Sequence, residues 1–168
     1  LVNGSGDDLA SSFSDRVVVT GAVKDVYDFL NDAHQWRERL PHVARVVFTE
    51  DGPGLQTLEM DTRTKDGSTH TTKSVRVCFP PNPIIYKQIT LPALMNLHTG
   101  YWELTEEPEA GTVTATSQHT VVINPERIGE VLGPEAGVAQ ARDFVRAALS
   151  ANSLATLGYA KSYAEARR

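Results

Sequence analysis

The sequence predicts an α+β fold, in which one curved antiparallel sheet of seven strands wraps around a long C-terminal helix, with two short helices after the first strand. Three observations favour this fold. Runs rich in β-branched and aromatic residues recur as far as residue 123, separated by Gly, Pro and Asp turn signals. A window after the first run shows the apolar spacing of a helix. The last third of the chain is rich in Ala, Leu, Arg and Glu, which favour helix.

The first strand is predicted at residues 15–20, where the sequence DRVVVT is β-branched. Residues 21–32 are predicted to be helical, because four apolar positions follow the i, i+3, i+4, i+7 spacing: Val23, Val26, Tyr27 and Leu30. A second short helix is expected at residues 34–40 and ends before Pro41. Residues 1–14 are mostly small and polar, so we interpret them as a disordered linker before a domain of residues 15–168.

Six further strands complete the predicted sheet, at residues 43–50, 55–64, 68–79, 84–91, 95–106 and 112–123. A long helix is expected after Gly133 and Pro134, with an inward stripe at Val138, Ala141, Phe144 or Val145, Ala148, Asn152, Ala155 and Tyr159. One helix cannot fill the whole concave face of such a sheet. The remaining space is predicted to be a cavity, which is the usual place for a ligand.

Composition argues against several classes of function. The chain carries a net charge of −5, which argues against nucleic acid as a partner. No apolar run approaches the roughly 20 residues of a membrane helix, so no membrane partner is expected. The single cysteine, Cys78, allows no internal disulfide and fits a cytoplasmic location. Metal-ligand spacing and glycine-rich phosphate motifs are absent, so neither a metal nor a cofactor is expected.

Strand alternation assigns two polar side chains to faces that could be internal. Arg76 shares a strand face with His70, Thr72, Ser74 and Cys78, and it either points to solvent, as most arginines do, or lies inside. His119 lies on a face that is otherwise mainly apolar: Val113, Ala115, Ser117, Val121 and Ile123. It is either a hydrogen-bonded core histidine or a general acid/base, because imidazole titrates near neutral pH.

Two clusters near the second helix have two interpretations each. Trp36, Leu40 and Val43 either cover the mouth of the cavity or belong to the core. The arginines of the second cluster are either solvated surface or a contact for an acidic carrier protein: Arg37, Arg39 and Arg45.

Five segments of the sequence resemble the aromatase/cyclases of bacterial type II polyketide synthases: NDAHQWRERLPHV, THTTKSVRV, LMNLHTGYWEL, TATSQHTVV and RAALSANSLATL. The likeness covers nearly the whole chain after Asp15, in the same element order. It implies the helix-grip fold that this family shares with START-type lipid-binding domains. The segment DGSTHTTKSVRV is most similar to one half of the didomain members, so the resemblance allows a second domain in the same chain.

The resemblance also implies site residues. Arg76 matches the pocket arginine and His119 a histidine of the dehydrating members, so both are expected to be catalytic. Substrate-binding positions are expected at the cavity mouth, on inward strand positions and on the long helix: Trp36, Thr72, Ser74, Met95, Thr99, Ser117, Asn152 and Thr156. Thr156 stands at or next to the place of the aspartate that partners the histidine. Small side chains replace inward aromatic ones at Val43, Thr99 and Ser117, which predicts a wider or differently shaped cavity.

The function implied is a polyketide aromatase/cyclase that binds a poly-β-keto chain carried by an acyl carrier protein and promotes closure or dehydration of its first ring. Arg76 would polarise the attacked carbonyl or hold the enolate, and His119 would remove the α-proton. Hydroxyl groups, or a water that they hold, could pass the proton: Thr72, Ser74 and Thr156. Two alternatives remain open. One is a non-catalytic START-like binder of a lipid or other apolar molecule, and the other is an inactive structural half of a didomain protein.

Overall fold

The predicted sheet is confirmed. A computed structural model describes residues 9–168, in which seven antiparallel strands are arranged in the order β1-β7-β6-β5-β4-β3-β2. The strands are β1 Ala10–Val19, β2 Val43–Glu50, β3 Leu55–Arg63, β4 Thr69–Cys78, β5 Ile84–Thr90, β6 Met95–Glu107 and β7 Thr112–Ile123. Each strand pairs with its neighbour in the chain except β1, which crosses to the far edge and pairs with β7.

The helices also match the predicted order, with one addition. They are α1 Val23–Asn31, α2 Trp36–Arg39, α3 Ile128–Leu132 and α4 Val138–Ala166, and 3-10 turns precede α2 and α3. The short α3 was not predicted. Its entry turn is capped by the Asn124 side chain, which accepts a hydrogen bond from the backbone of Glu126. No helix among residues 9–168 is long and apolar enough to span a bilayer.

The start of the first strand differs from the prediction. β1 begins at Ala10, and residues 10–14 pair with β7, so they are not linker. Backbone hydrogen bonds hold this edge strand, and Phe13 alone of its first five residues is buried. The polar composition of the segment therefore concealed a strand. The rest of the predicted linker, residues 1–8, lies outside the described residues.

The inward stripe of α4 is displaced from the predicted one. Its buried residues are Ala141, Val145, Ser153, Thr156, Leu157, Ala160 and Ala164. Asn152 is exposed, so its predicted inward position is wrong, and Ser153 is buried in its place. Small side chains predominate in the second half of the stripe because α4 packs closely on β1, β7 and α1. Hydrophobicity alone could not select these residues.

α4 does not cover the whole concave face of the sheet. It packs on β1 and β7, at one side of the sheet. On the inward face of β4, Arg76 and Cys78 are buried, whereas Ser74 and Thr72 are only half-buried. Met60 and Gln88, on the neighbouring strands, are half-buried as well. The concave face is therefore partly open to solvent beside Arg76.

Candidate active site

A row of side chains crosses the concave face at one level of the sheet. Strand register places successive members opposite one another: Gln56, Arg76, Tyr86, Gly100, His119 and Phe13. The row brings the two predicted catalytic residues to the same level on β4 and β7. Their Cα atoms are separated by three strand spacings, roughly 14 Å along the sheet. Tyr86 and Gly100 lie between them.

Arg76 lies inside the protein, so the prediction of an inward arginine is confirmed and the solvent-exposed alternative is wrong. Its side chain is 2% exposed. The Nη2 group donates to the carbonyl of Leu30, and the guanidinium carbon lies 5.2 Å from the centre of the Trp36 ring. Among the described residues no carboxylate pairs with it, and its Nε and Nη1 have no hydrogen-bond partner. Burial lowers the pKa of Arg76.

A buried cation without a counter-ion is costly, because charge loses its hydration without compensation. Its two unpartnered N–H groups can donate to an acceptor oxygen. The desolvated surroundings would strengthen such a bond, since the local dielectric is low. Arg76 is therefore suited to bind a carbonyl or enolate oxygen.

Trp36 belongs to the core rather than to an open cavity mouth. It is 4% exposed, and its Nε1 donates to the carbonyl of Phe29 over 3.0 Å. Leu40 and Val43 are buried in the same hydrophobic cluster. The ring of Trp36 thus forms a wall beneath the Arg76 guanidinium.

The three arginines of the predicted basic cluster have different surroundings. Arg45 is bound by Asp61 and Glu59, with N–O distances of 2.8 and 3.0 Å. Arg39 lies over the rings of Phe29 and Tyr163. Arg37 remains as an exposed cation, so the three arginines do not form one free basic surface.

His119 lies in a buried polar network that reaches three strands and α4. Its Nδ1 is 2.8 Å from Nε2 of His98 and 2.9 Å from the hydroxyl of Tyr86. Its Nε2 is 2.6 Å from Oγ of Ser153, which lies 3.0 Å from Oγ of Ser117. The ring of Phe13 stacks on His119 from the other side, with centroids 5.1 Å apart. Both the hydrogen-bonded and the functional interpretation of His119 are compatible with this geometry.

The hydrogen-bond network favours one pair of histidine tautomers. Nδ1 of His98 is buried without a partner, and an unpaired buried N–H is rarer than an unpaired acceptor. We therefore assign the proton of His98 to Nε2. This N–H can donate to Nδ1 of His119 or to the hydroxyl of Tyr86. Nδ1 of His119 is then an acceptor, so the His119 proton is assigned to Nε2, which is directed at Ser153.

Burial keeps both imidazoles neutral. It lowers the pKa of His98 to about 3, and repulsion from His119 adds to this effect. It lowers the pKa of His119 to about 4, with Asp15 opposing the shift. Burial raises the pKa of Tyr86, against the influence of the Arg76 cation. The network therefore carries no charge at neutral pH.

The stability of the protein should fall as the pH falls from about 6.5 towards 3, because of these histidines. Between the ordinary pKa of 6.5 and about 3, His98 binds a proton in the unfolded chain but not in the folded one. The glutamine of His98→Gln does not titrate, so the free energy of unfolding of this variant should fall less steeply as the pH falls, by about 1.4 kcal/mol per pH unit. Urea unfolding at a series of pH values measures this slope. His34→Gln, at an exposed position, is the control, and an equal slope in both variants would contradict the assignment.

A β-bulge changes the predicted face of the β6 residues. The register of β6 against β7 shifts between Met95 and Leu97. Met95 is buried as expected, but His98 is then the next buried position, and Thr99 pairs with Thr120 on the outer face. The inward prediction for Thr99 is therefore wrong. The same bulge concealed His98, since simple alternation from Met95 places it outside.

The remaining predicted residues lie at different distances from the network. Ser117 is fully buried and bonded to Ser153. Thr156 is buried, and its hydroxyl donates to the carbonyl of Asn152 rather than to His119. Thr72 and Ser74 line the open part of the concave face.

Gly100 allows the Tyr86 hydroxyl to reach His119. A Cβ at this position would lie 2.0 Å from the carbonyl oxygen of Gln118 and 2.5 Å from the Tyr86 hydroxyl. Only glycine at this position leaves room for the Tyr86 side chain to pass over β6.

Gly100→Ala should therefore destabilise the protein by about 3 kcal/mol, since the strands would have to separate. Gly158→Ala is the matched control. A Cβ there meets nothing within 4 Å, and alanine favours helix by about 1 kcal/mol. Denaturant unfolding of the two variants measures both effects. Equal stability of Gly100→Ala and the parent chain would show that the close approach is absent.

Two surface grooves lie apart from Arg76. One, of about 450 Å³, is lined by residues 21–24, 106–108 and 111–113. The other, of about 200 Å³, is lined by residues 11–13, 142, 143 and 146. Neither is the wide interior cavity that the sequence predicted. The polar network and α4 occupy the interior at the histidines.

The sheet, the long helix and the polar concave face define a protein of the helix-grip class. A crystal structure of the Zhui aromatase/cyclase from a Streptomyces species supports this fold, with a TM-score of 0.81 over 94% of this chain and 95% of that one, at 21% identity. The chain belongs to the polyketide cyclase / dehydrase and lipid transport family, whose model matches residues 19–147.

Two more similar proteins refine the comparison. The granaticin polyketide synthase bifunctional cyclase/dehydratase of Streptomyces virginiae is 53% identical over 86% of this chain and 47% of its own length. The crystal structure of the di-domain ARO/CYC BexL is 59% identical, with a TM-score of 0.93 over 98% of this chain and 53% of that one. The chain thus spans about half the length of the curated relatives it matches.

Proposed function

We propose that this domain is a polyketide aromatase/cyclase that closes or dehydrates the first ring of a poly-β-keto chain. One observation carries the proposal. A buried guanidinium with two unpartnered donors and a buried imidazole lie at the same level of one concave face. The names of the similar cyclase/dehydratases and ARO/CYC proteins support the same reaction class.

Ring closure needs a folded chain and a stabilised enolate. The α-proton between two ketones is removed, and its electron pair forms the enolate, whose oxygen accepts hydrogen bonds from Arg76. The enolate carbon then attacks a second carbonyl, a C–C bond forms, and the new alkoxide takes a proton to become a hydroxyl. Holding the two reacting carbons together supplies much of the rate, because it replaces a search among many conformations.

Dehydration uses the same groups again. A second α-proton is removed, the C–O bond breaks, and the hydroxyl leaves as water once it receives a proton. A first ring double bond remains, and enolisation of the two ring ketones supplies the other two double bonds of the aromatic ring. Where the ketoreductase has reduced one of these ketones, loss of a second water supplies its double bond instead. His119 is the proton-handling group in this proposal, because a neutral imidazole can accept a proton and return it. Thr72 and Ser74 would hold the substrate or a water on the half-exposed surface beside Arg76.

We propose further that the substrate arrives on an acyl carrier protein in the cytoplasm, and that this domain works beside a second domain of similar kind. The di-domain structures support the second part. Arg37, the exposed cation of α2, is a candidate contact for an acidic carrier.

Reconstitution with a minimal polyketide synthase and its ketoreductase tests the function. Mass spectrometry of the products should show a shift from shunt products to a dehydrated first-ring aromatic compound when the folded domain is added. An unchanged profile would favour a domain that binds an apolar ligand, or a structural half, over an enzyme.

A further inference from the structure

We propose that Tyr86 is a further catalytic residue, which transfers the proton between the substrate and His119. This proposal rests on the proposed function, since it concerns the path of the proton in that reaction. Neither the sequence pattern nor the resemblance singled out Tyr86.

Tyr86 lies between the two proposed catalytic groups. Tyr86 pairs with Arg76 on one side, and across Gly100 it reaches His119 on the other. It is therefore the only side chain of this row that lies between the guanidinium and the imidazole. A substrate whose enolate oxygen is bound by Arg76 would have its acidic carbon near the Tyr86 side chain.

The side chain of Tyr86 is less buried than that of His119. His119 is only 5% exposed and has Phe13, Ser153, His98 and Tyr86 around its ring. Tyr86 is half-buried and is the strand neighbour of Arg76. A substrate beside Arg76 can therefore touch Tyr86 before it can touch His119.

The hydrogen bonds around Tyr86 can carry a proton towards His119. The His119 proton lies on Nε2 and is directed at Ser153, so the lone pair of Nδ1 can accept the Tyr86 proton over 2.9 Å. The Nε2 hydrogen of His98 has two acceptors within reach, Nδ1 of His119 over 2.8 Å and the oxygen of Tyr86 over 3.3 Å, and the Tyr86 hydroxyl has the carbonyl of Gln118 at 3.3 Å as a second acceptor. The transfer uses the arrangement in which His98 donates to Tyr86 and Tyr86 donates to His119. The chain of donors then runs in one direction, from His98 through Tyr86 and His119 to Ser153 and Ser117.

The proton transfer is balanced. The α-carbon gives its proton to the Tyr86 oxygen as the tyrosine hydrogen moves to Nδ1 of His119. The electron pair of the C–H bond becomes the enolate, and its charge is held by Arg76. His119 becomes an imidazolium, with Asp15 as the nearest acidic influence. The reverse transfer through Tyr86 protonates the alkoxide or the leaving hydroxyl, and His119 returns to its neutral form.

Gly100 fits this arrangement. It is the position on β6 opposite both Tyr86 and His119, and a Cβ there would lie 2.5 Å from the Tyr86 hydroxyl. The path of the Tyr86 side chain over β6 is thus built into the sheet.

The test is Tyr86→Phe in the reconstituted synthase, which removes one oxygen and keeps the ring. We expect kcat for the dehydrated first-ring product to fall on the order of 100-fold, with little change in KM. Tyr159→Phe, at an exposed site on α4, should leave kcat unchanged. The effects of Tyr86→Phe and His119→Gln should not multiply in the double variant, because both remove the same transfer.

Two outcomes would overturn the inference without touching the proposed function. The first is full activity of Tyr86→Phe together with a strong loss in His119→Gln. The second is a ¹⁵N NMR spectrum that places the His119 proton on Nδ1, since that nitrogen could not then accept from Tyr86. Failure of the unaltered domain to change the product profile would instead overturn the proposed function.

Discussion

Replacing Arg76 by methionine should remove most of the ring-closing activity without unfolding the protein. The variant loses the only buried cation described on the concave face, and with it the donors for the enolate oxygen. Loss of one such donor group lowers kcat by about 100- to 1000-fold in enzymes that stabilise an oxyanion. The measurement is the rate of first-ring product formation in the reconstituted synthase.

The stability of the same variant separates a functional arginine from a structural one. Arg76 has no counter-ion, so removal of its charge should relieve a desolvation cost and offset the lost bond to Leu30. We expect the free energy of unfolding to stay within about 1 kcal/mol of the parent chain or to rise. Arg16→Met, at an exposed position of β1, is the control. A large loss of stability with normal activity would assign Arg76 to the core.

His119→Gln should block dehydration more than ring closure. Glutamine can still bond to Ser153 but cannot accept and return a proton, so the general acid/base contribution, about 100- to 10,000-fold, is lost. Poly-β-ketones cyclise without a catalyst, so the carbon ring should still form slowly. Mass spectrometry should therefore find a product that is heavier by one water.

A matched substitution tests whether the imidazole itself matters. His42→Gln changes a histidine outside the network, so it should give the dehydrated product at the normal rate. If His119→Gln also gives that product at the normal rate while it remains folded, then His119 is a core histidine and the proton must be handled elsewhere.

Much of the fold followed from local patterns. The six strands after Val43 begin within one residue of the predicted positions, because turn residues such as Gly52 and Gly67 mark the breaks between them. The first strand could not be predicted in full. Its N-terminal half is held by backbone pairing with β7, which leaves no hydrophobic pattern apart from Phe13.

The inward site residues could be predicted from the sequence where the strands are regular, but not where a strand is irregular. Alternation along β7 placed Ser117 and His119 inside, and the resemblance singled out Arg76. A bulge reversed the alternation in β6, so His98 was overlooked and Thr99 was placed on the wrong face. Tyr86 could not be found from sequence, because its contact with His119 depends on the missing side chain at Gly100.

The inward position predicted for Asn152 on α4 was wrong for a related reason. A stripe drawn through Asn152 and one drawn through Ser153 differ by a single residue, and small polar side chains give little hydrophobic contrast between them. The close packing of α4 on β1 and β7 selects the serine.

The central claim is that the substrate binds on the concave face beside Arg76. An NMR titration of the labelled domain with a non-cyclising analogue of the poly-β-keto chain tests it most directly. Amide shifts should be concentrated at Thr72, Ser74, Arg76 and Tyr86, and should be lost in Arg76→Met. Shifts confined to the groove of residues 21–24, 106–108 and 111–113, with none on β4 and β5, would contradict the claim.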